Sequence, residues 1–202
     1  KVQVGLLGSS SHYYLAVMLG VMSNGNTVVP LDIQLDVDGL SDCLNRSDVD
    51  ILFYDWEHHS LTEGAKEKCP RVRSYISFQH GRHVPCSDNI LKEFKGRTVT
   101  PRVAETDCAM ILFTSGTTGR GKGVMLSNRN LIDNTFSSTD KNHPENEIYL
   151  NILPIHHVFC INSDVLVAMR YGVLLCLNRD MSKLAEHLLL FEPTSFRAVP
   201  MV

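Results

Sequence analysis

Along this chain, short apolar runs alternate with longer segments in which apolar residues recur at helical spacing. Val2–Gly8 (VQVGLLG) is a continuous apolar run of strand length. The segment after it, SSSHYYLAVMLGVMSNG, reads as a helix with the serines Ser9–Ser11 at its start and Gly25 at its C-terminal end. Apolar residues run almost all round that helix, which predicts burial on every side. TVVPLD reads as a second strand, LSDCLNRSDVD as a helix and Ile51–Asp55 (ILFYD) as a third strand. Ser60 is placed to cap a helix over LTEGAKEKC, and a fourth strand falls at Val72–Phe78. Strands alternating with helices imply right-handed crossovers and a mainly parallel sheet covered on both faces.

Between His80 and Glu105 the pattern dissolves into a polar stretch punctuated by Gly81, Pro85, Gly96 and Pro101, with room for one short helix at most. Periodicity returns at CAMILFTSG. A helix from about Asn128, a strand in IYLNILP, a helix within CINSDVLVAMRYG, a strand VLLCLN, a helix SKLAEHLLLF and a strand SFRAVP come next. The expected fold class is α/β: two consecutive doubly wound, mainly parallel sheet subdomains with helices on both faces. Residues 1–79 form the first, 80–105 a connector and 106–202 the second.

Composition narrows the function. With 202 residues, 44% of them hydrophobic and 20% charged, the chain buries a substantial core and does not read as a disordered tail. A net charge of −3 with scattered lysines and arginines offers nucleic acid no basic face. The six cysteines, Cys43, Cys69, Cys86, Cys108, Cys160 and Cys176, contain no C-x-x-C pair and lie mostly in apolar surroundings, which fits reduced thiols in the cytoplasm. Arg170 interrupts the best membrane candidate, Val165–Leu177, so no integral membrane segment is expected, while peripheral membrane contact stays open. The chain opens directly on a strand-like run, so no signal peptide is expected.

The chemistry concentrates in TSGTTGRGKG, Thr114 to Gly123, directly after the apolar run CAMILF. In open α/β sheets, ligands collect outside the carboxyl ends of strands. Gly116, Gly119, Gly121 and Gly123 let the backbone approach a ligand and turn N–H groups toward an anion. Thr114, Ser115, Thr117 and Thr118 add hydroxyl donors, and Lys122 adds a positive charge. A flexible surface turn is the plain alternative, but ten such residues ending in Gly-Lys after a buried strand favour polyphosphate binding. Gly116 to Lys122 also satisfies G-x-x-x-x-G-K of the nucleoside triphosphatase loop. The next residue in that loop must be Ser or Thr to hold Mg²⁺, and here it is Gly123.

Hydroxyls first, then glycines, then lysine: this arrangement resembles the signature of the adenylate-forming superfamily of acyl-CoA synthetases, luciferases and peptide-synthetase adenylation domains. The match runs from Thr114 to Gly123 except at Gly121, where the family usually has proline, a swap that loosens the loop by about 1 kcal/mol or less. Asn128 stands where the family tends to carry histidine, ahead of the matching Asn130. VGLLGSSSHYYLAVMLGVMSNGNTVVPLD is similar to the family's early strand, helix and strand. LPIHHVFCIN resembles its L-P-x-x-H motif, and EPTSFRAVP resembles its later strand ending in V-P.

The resemblance implies a two-step reaction. A carboxylate attacks the α-phosphate of Mg-ATP, giving an acyl-adenylate and pyrophosphate, and a thiol, usually that of coenzyme A, then takes the acyl group. Thr114, Ser115, Gly116, Thr117, Thr118, Gly119 and Lys122 would cradle the leaving phosphates. His157 would face the adenylate and acyl pocket as the catalytic candidate, with His156 the weaker one and Phe159 on the apolar wall. The residues alone leave the histidine pair equally open to a structural role. A general likeness to long-chain acyl-CoA synthetases, with the apolar VLVAMRYGVLLCLN, favours a fatty acid. His80, His83 and Cys86 have a suggestive H-x-x-H-x-x-C spacing but lack a second C-x-x-C, so no metal site is assigned. The family's Y-G-x-T-E and T-G-D segments do not occur in these 202 residues, nor does the mobile domain carrying its catalytic lysine. The expectation is therefore an N-terminal-region fragment, inactive alone. A nucleotide-binding or interaction module without catalysis and a P-loop triphosphatase remain the alternatives.

Overall fold

The computed structural model describes residues 1–79, 85–114, 121–137 and 146–199, and the alternation of strands and helices is present in it. The first sheet contains β1 (Gln3–Leu7), β2 (Thr27–Leu31), β3 (Ile51–Tyr54), β4 (Ser74–Ser77), β5 (Cys108–Thr114) and β6 (Lys122–Ser127). Their spatial order is β4-β3-β1-β2-β5-β6. The first five are parallel and β6 runs antiparallel to β5. All of β2 and all of β1 beyond Gln3 are buried, as strands covered on both faces must be. Leu7, Val29, Leu31, Leu40, Leu44, Val49, Leu52 and Tyr54 are central to the core beside them.

The helices of this half are α1 (His12–Ser23), α2 (Val37–Arg46), α3 (His59–Lys66) and α4 (Ser87–Glu93). Gly25 ends α1 as expected. Its φ of +70° is left-handed, and a Cβ there would lie 2.4 Å from the Arg102 carbonyl oxygen. The helix is not enclosed on every side, however. Tyr14 and Met18, one turn apart, are buried, whereas Ala16 and Gly20 are exposed. Small residues cost little on the open side, so apolar composition overstated burial. α2 starts earlier than expected because Asp36 caps it, its carboxylate accepting from the Gly39 N–H at 2.8 Å. Ser60 caps nothing: a 3₁₀ turn at Trp56–His58 leads into α3, placing Ser60 inside the helix. Among the described residues, the polar connector holds one short helix, α4.

β5, expected to open the second sheet, instead extends the first, pairing with β2 at Val28 and Met110. The chain divides into two compact units, 1–9 with 13–128 and 10–12 with 129–202. The second unit has its own parallel sheet of β7 (Ile148–Asn151), β8 (Leu174–Leu177) and β9 (Ser195–Phe196), ordered β8-β7-β9. α5 (Asn128–Ser137) leads into this unit, and α8 (Leu184–Phe191) lies between β8 and β9 in sequence. Between β7 and β8 runs a helix with three parts: α6 (Val158–Cys160), a π-helical stretch Ile161–Leu166, and α7 (Val167–Tyr171). Among the described residues, no helix is long and apolar enough to cross a membrane.

Candidate functional site

At the carboxyl end of β5, Thr114 faces Lys122 across the hairpin as its paired residue, and both are exposed. Ser115, Gly116, Thr117, Thr118 and Gly119 lie outside the described residues, so the two ends of the loop define the site. The sequence implied a strand, a loop and a helix. The chain instead returns from the loop along β6 before α5 begins, which makes Lys122 the first residue of an edge strand.

Gly121 immediately precedes that strand. A Cβ on it would sit 2.6 Å from the Thr114 carbonyl oxygen, so the two ends of the loop approach each other more closely than any side-chain-bearing residue permits. Proline, the family's usual residue at this place, would meet the same atom. The Gly121 carbonyl accepts a hydrogen bond of 2.7 Å from Arg46 Nη1. Arg46 stands at the end of α2, is bonded to Asp42 Oδ2 at 2.9 Å, and lies 5.3 Å from the centre of the Phe113 ring. Beyond β6, the Asn128 N–H donates to the Asp107 carbonyl at 3.1 Å and its side-chain amide donates to the Ala104 carbonyl at 3.0 Å. Asn128, where the family tends to have histidine, thus anchors the start of α5.

In the second unit, β7 is followed, after Ile152, by LPIHH, residues 153–157. Leu153 and Ile155 turn inward, while His156 is half-buried and His157 exposed. The two imidazole rings are 4.3 Å apart and tilted by 52°. His157 begins α6: its N–H donates to the Pro154 carbonyl and its own carbonyl accepts from the Ile161 N–H, both at 3.1 Å. Phe159 is half-exposed beside it, at 51%.

Beneath this segment lies a polar group that periodicity did not reveal. Asn151 and Asp164 are fully buried, at 0% and 1% exposure. The Asn151 amide donates to Asp164 Oδ2 at 3.0 Å and to the Leu153 carbonyl at 3.1 Å, and it lies 3.0 Å from Cys160 Sγ. Arg197 reaches Asp164 Oδ1 at 3.3 Å while its guanidinium covers the Tyr149 ring at 4.4 Å. Burial pushes the Asp164 carboxyl above the usual carboxylate range, against the opposing pull of Asn151 and Arg197. Burial likewise pushes the Cys160 thiol up to about 12, leaving it protonated and unreactive. One turn along, buried Asn162 lies 3.1 Å from the Thr135 hydroxyl and donates to the Asn134 side chain, joining the π-helical stretch to α5.

His80 and His83 lie outside the described residues, and Cys86 is buried at an isolated bridge to Ser77. Among the described residues, no three His, Cys, Asp or Glu side chains gather closely enough to hold a metal.

A family model described as AMP-binding enzyme matches residues 1–202. Long chain acyl-CoA synthetase 4 of Arabidopsis thaliana is 27% identical over 225 residues, covering 100% of this chain and 33% of that protein. The 4-coumarate–CoA ligase-like 6 of the same plant is 25% identical over 206 residues, covering 98% and 36%. The chain thus spans about a third of the length of these relatives. Among solved structures, the anthranilate CoA ligase AuaEII in complex with anthranoyl-AMP superposes with a TM-score of 0.86 at 18% identity, covering 96% of this chain and 39% of that one. That likeness carries the α/β fold, and the full-length model match carries the family: this chain belongs to the AMP-binding enzymes.

Proposed function

We propose that this chain supplies the phosphate-binding part of an AMP-forming acid–thiol ligase, which activates a carboxylic acid with Mg-ATP and passes the acyl group to coenzyme A. The observation that carries the reading is the β5/β6 hairpin, which sets Thr114 and Lys122 side by side at the carboxyl end of a parallel strand. Lys122 supplies positive charge for the pyrophosphate that leaves. Thr114 begins a run of donors, with Ser115, Gly116, Thr117, Thr118 and Gly119, suited to the remaining phosphate oxygens. The protein's contribution to such a charge-rich transition state is positioning and electrostatic stabilisation. His157, exposed at the start of α6 next to Phe159, is assigned to the adenylate and acyl pocket. Mg²⁺ enters with ATP and neutralises phosphate charge.

A fatty acid is the preferred substrate, in line with the long-chain synthetase among the relatives, and the aryl acids named in other relatives are the closest competitors. The six unbridged cysteines suit a cytoplasmic protein.

The test is product analysis with the full-length protein, Mg-ATP, coenzyme A and a panel of fatty, aryl and amino acids. Acid-dependent AMP and pyrophosphate are expected, and Lys122→Ala lowers kcat/KM for ATP by about 10²–10³-fold while leaving the KM for the acid nearly unchanged. Acid-independent ADP would instead assign the loop to a triphosphatase.

A further inference from the structure

We propose that Arg46 is a positioning residue for the phosphate loop: from the end of α2 it holds the Gly121 carbonyl and thereby fixes Lys122, the next residue. The inference rests on the ligase reading and extends it to a side chain far from the loop in sequence. Its contacts come from three directions. Arg46 Nη1 donates to the Gly121 carbonyl at 2.7 Å, the same nitrogen is held by Asp42 at 2.9 Å, and the guanidinium lies 5.3 Å from the Phe113 ring centre. Phe113 belongs to β5 and Gly121 leads into β6, so one side chain reaches both arms at the loop end of the hairpin.

This clasp stands where rigidity would otherwise be lost. A glycine at 121 has more backbone freedom than the proline the family usually carries there. Here the glycine admits the Thr114 carbonyl at a distance no Cβ tolerates, and Arg46 restrains it from outside. A charge-assisted hydrogen bond to a carbonyl is stronger than a neutral one, and the planar guanidinium can stack and donate at once, which a lysine ammonium cannot. An exposed i,i+4 ion pair with Asp42 alone would contribute little, and it gives no reason for the guanidinium to reach the hairpin.

The experiment compares Arg46→Ala, Arg46→Lys and Phe113→Leu with the parent in the full-length protein. The readouts are KM for ATP, KM for the acid, direct ATP affinity by calorimetry, and thermal unfolding. Arg46→Ala is expected to raise the KM and the Kd for ATP about tenfold, the worth of one charge-assisted hydrogen bond. The KM for the acid and the Tm should stay near parental values. Arg46→Lys restores part of the loss, and Phe113→Leu, which leaves the hydrogen bond but removes the ring, gives a smaller rise. If the parent turns over ATP with acid and Arg46→Ala leaves both ATP constants unchanged, Arg46 is only a surface ion-pair residue and the proposal falls. A parent that binds ATP without making AMP overturns the ligase reading alone, because the affinity comparison still decides the role of Arg46. A parent that does not bind ATP overturns both.

Discussion

Two buried aspartates, one in each unit, face opposite electrostatic situations. Asp50, at the threshold of β3, accepts from the Gln3 N–H at 3.0 Å and from Arg73 at 2.8 Å, with Arg71 at 3.7 Å. The backbone donor, then the arginines, hold its carboxyl below the ordinary range despite burial. Asp164, in the π-helical stretch, has one amide donor at 3.0 Å and one arginine at 3.3 Å, and burial wins, so its carboxyl rises. The first carboxylate ties strands together. The second stands where burial disfavours the charged form, in the π-helical stretch that continues from α6. At Asp50 the hydrogen-bond donors and arginines outweigh burial, whereas at Asp164 burial outweighs its partners.

The largest expected effect tests the apolar half. Leu52 is fully buried at the centre of β3, and Leu52→Ala should cost about 3–4 kcal/mol in chemical denaturation. A loss under about 1 kcal/mol would show that the first sheet is far looser than its burial implies.

Asp50→Asn should cost less, about 1–2 kcal/mol at neutral pH, since both arginines are solvent-exposed and screened. A carboxyl lowered on folding stabilises above its unfolded pKa of about 3.9, and the benefit disappears as pH falls through the folded value. The gap between parent and variant should therefore close on acidification.

The smallest effect is expected at Asp164→Asn, within about 1 kcal/mol at neutral pH, with the opposite sign in pH. A carboxyl raised on folding favours the native state when protonated, so parental stability falls as pH rises from about 3.9 through the folded value, and the variant lacks that fall. If both variants showed the same pH slope, the contrast between the units would be wrong.

Much of the fold was legible because strands buried on both faces leave continuous apolar runs, and helices leave stops such as Gly25. What escaped was pairing. The run CAMILF announces a strand, but nothing local says that it returns to the edge of β2 across an intervening connector. β6 was hidden because Val124 and Met125 are exposed and the run ends where α5 begins. At the candidate site, Thr114, Lys122 and His157 are proposed from local motifs. Arg46 was not: it meets Gly121 across 75 positions, and only its i,i+4 spacing to Asp42 could be read from the sequence. Asn151 and Asp164 escaped because an apolar pattern gives no sign of polar residues that bond to one another inside.

The π-helical stretch has a consequence for chain length. Val167 reaches back with its N–H to the Asn162 carbonyl, five residues earlier, so this turn holds one residue more than an α-helical turn needs. Deleting a single residue from Ile161–Leu166 would let the hydrogen-bond ladder close as an ordinary helix. The segment before it would then rotate by about 100° and shift by about 1.5 Å relative to α7. His157 would be carried round the axis while α7 kept its place. In this protein, insertion and deletion, more than substitution, are the changes to which the direction of that histidine is most exposed.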